Sequence, residues 1–202
     1  QGQVISLDIS DVKLDKGVSK EVQTFKLIHK NYIIQPSCMD LEADQFFFGT
    51  TNGAIASFNR VSGKCTSYYA DHTKKVAKIE VHDGTLYHVG FDGYFLVRNL
   101  QYERIVHSWI STKCPLSSLV VADSTSSIFV SSWDSTISQI DLRMRSCQQI
   151  KCGNSPVRDI KLHEDGNILC ASHGIGGLRS WDLRNTEKPL RDYGLGNGHT
   201  DV

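Results

Sequence analysis

Apolar and polar side chains alternate in short runs along the whole chain, as in VAKIEVH (76–82), TLYHVGF (85–91), YFLVRNL (94–100) and RIVHSWI (104–110). A period of two places alternate side chains on opposite faces of a strand. No stretch keeps the 3.6-residue period of an amphipathic helix, so the pattern predicts an all-β chain. The runs also repeat. Five segments, GQVISLDI, GAIASFNR, GYFLVRNL, STISQIDL and GGLRSWDL, each leave a small-residue turn, carry one strand and end on Asp8, Asn59, Asn99, Asp141 and Asp182, in steps of 51, 40, 42 and 41 residues. A second column, Met39, Ile79, Leu119 and Ile160, recurs at 40, 40 and 41, each followed two residues on by Leu41, Val81, Val121 and Leu162. Each unit of about forty residues reads as four short strands, and a repeat of that length marks a stacked array. One such sheet cannot bury both of its faces alone; stacked units bury them, and radial closure leaves few exposed edges.

Between the second and third strands of the units stand Asn52-Gly53, Asp92-Gly93 and Asp134-Ser135. Such pairs between apolar runs predict tight primed hairpin turns, which need positive φ. RSWDLRN at the end of a third strand, GHT ahead of a first strand and the step near 41 together resemble the WD-repeat β-propeller family. The resemblance covers 3–202 and implies four-stranded antiparallel blades. By register the chain holds a half-blade (3–29), blades at about 34–70, 74–110, 114–151 and 156–193, and the start of another at 198–202. That is about four and a half blades, a partial propeller, in a family that usually closes at seven, so a piece of a longer protein is expected. Only Asp182 follows a Trp; Leu7, Phe58, Arg98 and Ile140 hold that position elsewhere, and Trp133-Asp134 falls at a turn. In the family a His, the turn Asp and the Trp tie a blade by hydrogen bonds. No whole blade here has all three, so side-chain packing is expected to hold the blades more than that network does.

Composition narrows the function. Lys plus Arg is 22, Asp plus Glu is 22, and the net charge is zero, which argues against nucleic acid and membrane surfaces as partners. Apolar runs fall far short of the ~20 residues of a membrane span, so no membrane insertion is expected. The first ten residues lack the pattern of a signal peptide. Six cysteines without a CxxC pair, and no Asn-x-Ser/Thr site, point to reduced thiols in an intracellular protein, cytoplasmic rather than nuclear. None of the eight histidines pairs with another at metal-ligand spacing. The Gly-rich CASHGIGGL runs strand to strand, whereas a phosphate cradle needs a helix after its glycines. The chain is therefore expected to be no enzyme, with no metal and no cofactor. An enzyme would need ligands or carboxylates in the channel; Asp40, Glu80 and Asp159 lie at related positions in first strands, as solvated charges or cation ligands.

A propeller otherwise offers loops on a rigid disc to protein partners, including a place in a multi-subunit complex. The resemblance implies that the residue before the turn Asp points out of one face: Thr51, Phe91, Trp133 and Ile175. Exposed aromatics dominate interface energies, so Phe91 and Trp133 are candidate partner anchors; the alternative is that they fold back as core. Lys74, Lys75 and Lys113 share that face and would favour an acidic partner. WDLR (181–184) and IDLR (140–143) resemble the motif by which some WD-repeat proteins dock onto the adaptor of cullin–RING ubiquitin ligases, which implies Arg143 and Arg184 as contacts. The competing reading is that each Arg pairs with the Asp nearby.

Overall fold

The computed structural model describes residues 28–29, 32–33, 35–110, 114–122 and 127–194. The described residues hold strands and no helix, so among them no helix is long and apolar enough to cross a membrane. Four sheets of four antiparallel strands follow one another along the chain. The first contains β3 (Pro36–Glu42), β4 (Gln45–Thr50), β5 (Ile55–Asn59) and β6 (Cys65–Tyr69). The second contains β7 (Val76–His82), β8 (Thr85–Gly90), β9 (Tyr94–Asn99) and β10 (Arg104–Ile110). The third contains β11 (Leu116–Ala122), β12 (Ser127–Ser132), β13 (Thr136–Asp141) and β14 (Ser146–Lys151), and the fourth β15 (Val157–Leu162), β16 (Ile168–His173), β17 (Gly177–Asp182) and β18 (Arg191–Gly194). Ahead of them β1 (Ile28–His29) pairs with β2 (Tyr32–Ile33) in a separate two-stranded sheet. The rest of the expected half-blade, the segment 198–202 and Lys113 lie outside the described residues.

Each strand's period-two pattern decides which neighbour it meets. In β4, Phe47 joins Ile55, Val76, Ile79 and Leu86 between the first and second sheets, while Phe46 and Phe48 turn to the other face with Phe58. Val89, Phe95, Leu116 and Ile128 fill the second boundary, and Phe129, Ile137, Ile160 and Trp181 the third. Every residue of β12 is buried and every residue of β18 is exposed. Burial thus falls from the inner strands of each sheet to its fourth.

The acidic or amide column has a backbone job. Asn59 accepts from the Ser62 N–H (2.8 Å), Asn99 from Tyr102 (2.9 Å), Asp141 from Arg143 (2.8 Å) and Asp182 from Arg184 (3.0 Å). Each closes the hairpin between third and fourth strands as an Asx turn. The turns between second and third strands differ from expectation. The N–H of Gly53 bonds the carbonyl of Thr50, Gly93 that of Gly90 and Gly176 that of His173 (3.3, 3.1 and 3.1 Å). Positive φ falls only on the closing residue, Gly53, Gly93, Ser135 or Gly176. These are three-residue loops ending in a left-handed residue, which satisfy the same φ demand as a primed two-residue turn.

Consecutive sheets meet through their first strands, β3 against β7, β7 against β11, and β11 against β15. Side chains stitch the boundaries. Asp40 accepts the Val81 N–H at 2.7 Å, and Glu80 accepts the Val121 N–H at 2.9 Å, both across a separation of 41 residues. The Ser118 hydroxyl donates to Asp159 at 2.6 Å. The three carboxylates therefore brace neighbouring sheets, Asp159 from an exposed position. Burial raises the Glu80 carboxyl above its ordinary range, although the Val121 N–H works the other way. A register shift interrupts the pairing of every first strand at its second residue: Ser37, Ala77, Ser117 and Arg158. Such a bulge re-aims its side chain. Ser37 uses it to donate to the Val76 carbonyl and Ser117 to donate to the Val157 carbonyl, both at 2.6 Å.

Asp40→Ala removes the acceptor of a buried N–H and should destabilise the fold by about 1–3 kcal/mol. Asp40→Asn keeps an acceptor and should recover most of that in urea unfolding. Equal losses for both variants would mean that the brace is not what matters there.

Candidate interaction surface

In each antiparallel sheet the turn between second and third strands lies at the same end as the loop leading into the first strand. Backbone bonds pin the two together. The Thr51 N–H donates to the Gln35 carbonyl (3.1 Å), Phe91 to Lys75 (2.9 Å), Trp133 to Pro115 (3.0 Å) and Gly174 to Pro156 (2.8 Å). This register corrects one assignment. Gly174, not Ile175, is the fourth member of the column; Ile175 sits where the other turns carry Asn52, Asp92 and Asp134, and it is 81% exposed.

Phe91 and Trp133 are half-buried and stack on each other across the boundary between second and third sheets, centroids 5.2 Å apart at 63°. Each ring therefore has the other as a neighbour. Lys75 Nζ lies 5.3 Å from the Phe91 centroid, and the Arg158 guanidinium lies 4.5 Å from that of Trp133. A cation over an aromatic face is held by the ring quadrupole. Arg158 was not among the candidates. It comes from the β15 bulge, and Gly174 leaves it room, since a Cβ there would lie 3.1 Å from Nε. Lys74 and Thr51 are exposed at the same end, Thr51 with its hydroxyl 3.4 Å from the Gln35 amide oxygen. Neither joins the stack.

Behind Phe91 runs a chain of buried polar groups. The Asp92 carboxylate accepts from His72 Nδ1 (2.9 Å) and from the Thr73 N–H (2.9 Å). His72 Nε2 lies 2.9 Å from His88 Nδ1, and His88 Nε2 lies 3.5 Å from Asp71. Arg98 grips Asp71 through Nε (2.8 Å) and Nη2, donates to the Glu103 carbonyl (2.6 Å) and lies 4.2 Å over the Tyr69 ring. Gly90 makes the space, because a Cβ there would come within 2.6 Å of both His72 and Asp92. The second sheet nevertheless carries such a network: His88 extends it and Arg98 stands at the Trp position. In the fourth sheet Trp181 is 1% exposed, and its indole N–H has no hydrogen-bond partner among the described residues.

Among the described residues no three His, Cys, Asp or Glu side chains converge as metal ligands. Burial pushes the Cys38 thiol up to about 11 and the Cys152 thiol up to about 12, which leaves neither a ready nucleophile. Arg143 and Arg184 lie at the opposite end of the sheets. The Arg184 fork engages Asp182, Nε at 2.9 Å and Nη2 at 2.6 Å, and holds that carboxyl at about 2. The Arg143 N–H donates to Asp141 and its side chain is exposed.

No family model matches the sequence, and no curated protein matches it. A solved structure does resemble the fold: the computationally designed Ika8 protein, with TM-score 0.69 and 14% identity over 82% of this chain and 51% of that one. The likeness is one of fold. The chain spans about half the length of the structure it resembles.

Two outcomes follow from this geometry. An edge-to-face pair is worth about 0.5–1.5 kcal/mol beyond its area, so a double-mutant cycle of Phe91→Leu and Trp133→Leu should give a coupling of that size in unfolding experiments; additive effects would mean the rings do not support each other. Burial first, then His72 and Arg98, hold the His88 imidazole well below the ordinary 6.5. Below about pH 6.5 the unfolded chain binds a proton that the folded chain refuses, so this contribution is full above pH 6.5 and is lost as pH falls. The stability gap between wild type and His88→Asn should therefore shrink from pH 7.5 to pH 5 in denaturant titrations. A constant gap would place the pH sensitivity elsewhere.

Proposed function

We propose that this chain belongs to a WD-repeat-like β-propeller and acts as a non-enzymatic protein-interaction scaffold, docking partners on the end that carries Phe91 and Trp133. Sheets in chain order joined through their first strands support the propeller reading. The observation that carries the functional reading is the half-buried Phe91–Trp133 pair, bracketed by Lys75 and Arg158. Large aromatics in a rigid loop ring contribute interface energy at little cost in chain ordering. A place in a multi-subunit complex fits the same reading.

The test is affinity purification from cells with wild type, Phe91→Ala and Trp133→Ala, beside thermal unfolding of each. Partners captured by the wild type should bind the variants more weakly by about 1–4 kcal/mol. The loss of stability should stay below the ~3–5 kcal/mol of a truncated core aromatic. An unchanged partner list, with large stability losses, would assign the two rings to the core.

A further inference from the structure

The charge at the aromatic end is sorted in a way that the zero net charge of the chain conceals. Three cations, Lys74, Lys75 and Arg158, stand there, and none makes an ion pair among the described residues. The carboxylates of the same end are engaged. Asp71 is held by Arg98 and faces His88, and Asp92 is held by His72 and the Thr73 N–H; each side chain is 6% exposed. Asp134 accepts from the Thr136 N–H and hydroxyl at 3.1 and 2.7 Å. What faces outward is therefore an apolar pair with a cation over each ring.

We infer that the partner docked here presents an extended acidic segment, with an apolar side chain against Phe91 and Trp133 and carboxylates toward Lys75 and Arg158. This rests on the scaffold reading above and names the chemistry of its partner. Lys75 and Arg158 are already held over rings, so little side-chain freedom is lost on binding. Stacking on Trp133 engages the guanidinium face, and the in-plane N–H groups are the ones that form a two-pronged bond to a carboxylate. The path Lys75–Phe91–Trp133–Arg158 runs through contacts of 5.3, 5.2 and 4.5 Å. The cations are then at most on the order of 15 Å apart, a reach of about four or five extended residues. A nucleic-acid strand fits less well. Lys75 and Arg158 each cover a face of the two rings, and the rings meet edge to face, whereas bases need open ring faces for stacking.

The experiment measures fluorescence anisotropy of labelled 12-residue Gly-Ser peptides bound to the 202-residue chain. One carries glutamates four positions apart around a central leucine, one has lysines in their place, and an oligothymidine serves as third probe. The acidic peptide should bind best, and more weakly as salt rises. Arg158→Glu should lower its affinity tenfold or more and raise that of the lysine peptide, without moving the melting temperature of an otherwise exposed site. No acid preference at millimolar peptide, or tighter binding of the oligothymidine, overturns the inference. In cells, partners lost with Trp133→Ala but indifferent to Arg158→Glu would overturn it and leave the scaffold reading standing. Partners indifferent to both would remove both.

Discussion

A four-stranded sheet with apolar side chains on both faces has to find cover, and here each finds it on the next sheet in the chain. The contact is made at β3, β7, β11 and β15, where strand meets strand across every boundary. Two kinds of force act there. A buried Ile or Leu contributes about 1.5–3 kcal/mol, and each boundary holds several, so apolar contact sets the strength of the stack. A single hydrogen bond contributes only about 0.5–1.5 kcal/mol, but the carboxylates of Asp40 and Glu80 must land on particular N–H groups. A slip of one residue would leave those donors unpaired and turn the apolar set to the wrong face. Apolar area gives affinity between sheets, and the polar braces give register.

The second sheet adds a different solution. Burying Asp71, Asp92, Arg98 and two histidines is costly unless each finds a partner. Asp92, His72 and His88 Nδ1 find partners in one run and Asp71 and Arg98 in another, with Tyr69 covering the guanidinium; between them His88 Nε2 has no hydrogen-bond partner among the described residues. Its members come from the loop ahead of β7, from the turn between β8 and β9 and from those two strands, so the network fixes the loop bearing Lys74 and Lys75 relative to the turn bearing Phe91. The rigidity of the outer face at this point has its origin in the groups beneath it.

Much of the fold could be read from the residues because local chemistry dictated it. Asn59, Asn99, Asp141 and Asp182 recur since an Asx side chain closes each hairpin, and strands such as β7 and β16 show because burial alternates along them. Turn positions were equally visible, but positive φ alone does not distinguish a two-residue from a three-residue loop. What stayed hidden depends on partners far along the chain. Asp40 and Glu80 looked like solvent charges because their donors lie in the next sheet. Gly174 was passed over because hydrogen bonds, not residue type, set the register of the last turn. Phe91 and Trp133 were singled out as aromatics, whereas their contact with each other and with Arg158 exists only once the sheets are stacked.

The bulge in every first strand separates the identity of one side chain from the integrity of the sheet. Ser37, Ala77, Ser117 and Arg158 stand outside the ladder, so a change of side chain there leaves the backbone pairing of the strand intact. In one sheet the slot holds a methyl group, in two a hydroxyl that ties neighbouring sheets, and in one a guanidinium aimed at an outward-facing ring. The same scaffold position has thus been put to joinery in some repeats and to display in another. A repeat protein built this way can vary its surface one unit at a time, at a site that the folding of the unit does not consult.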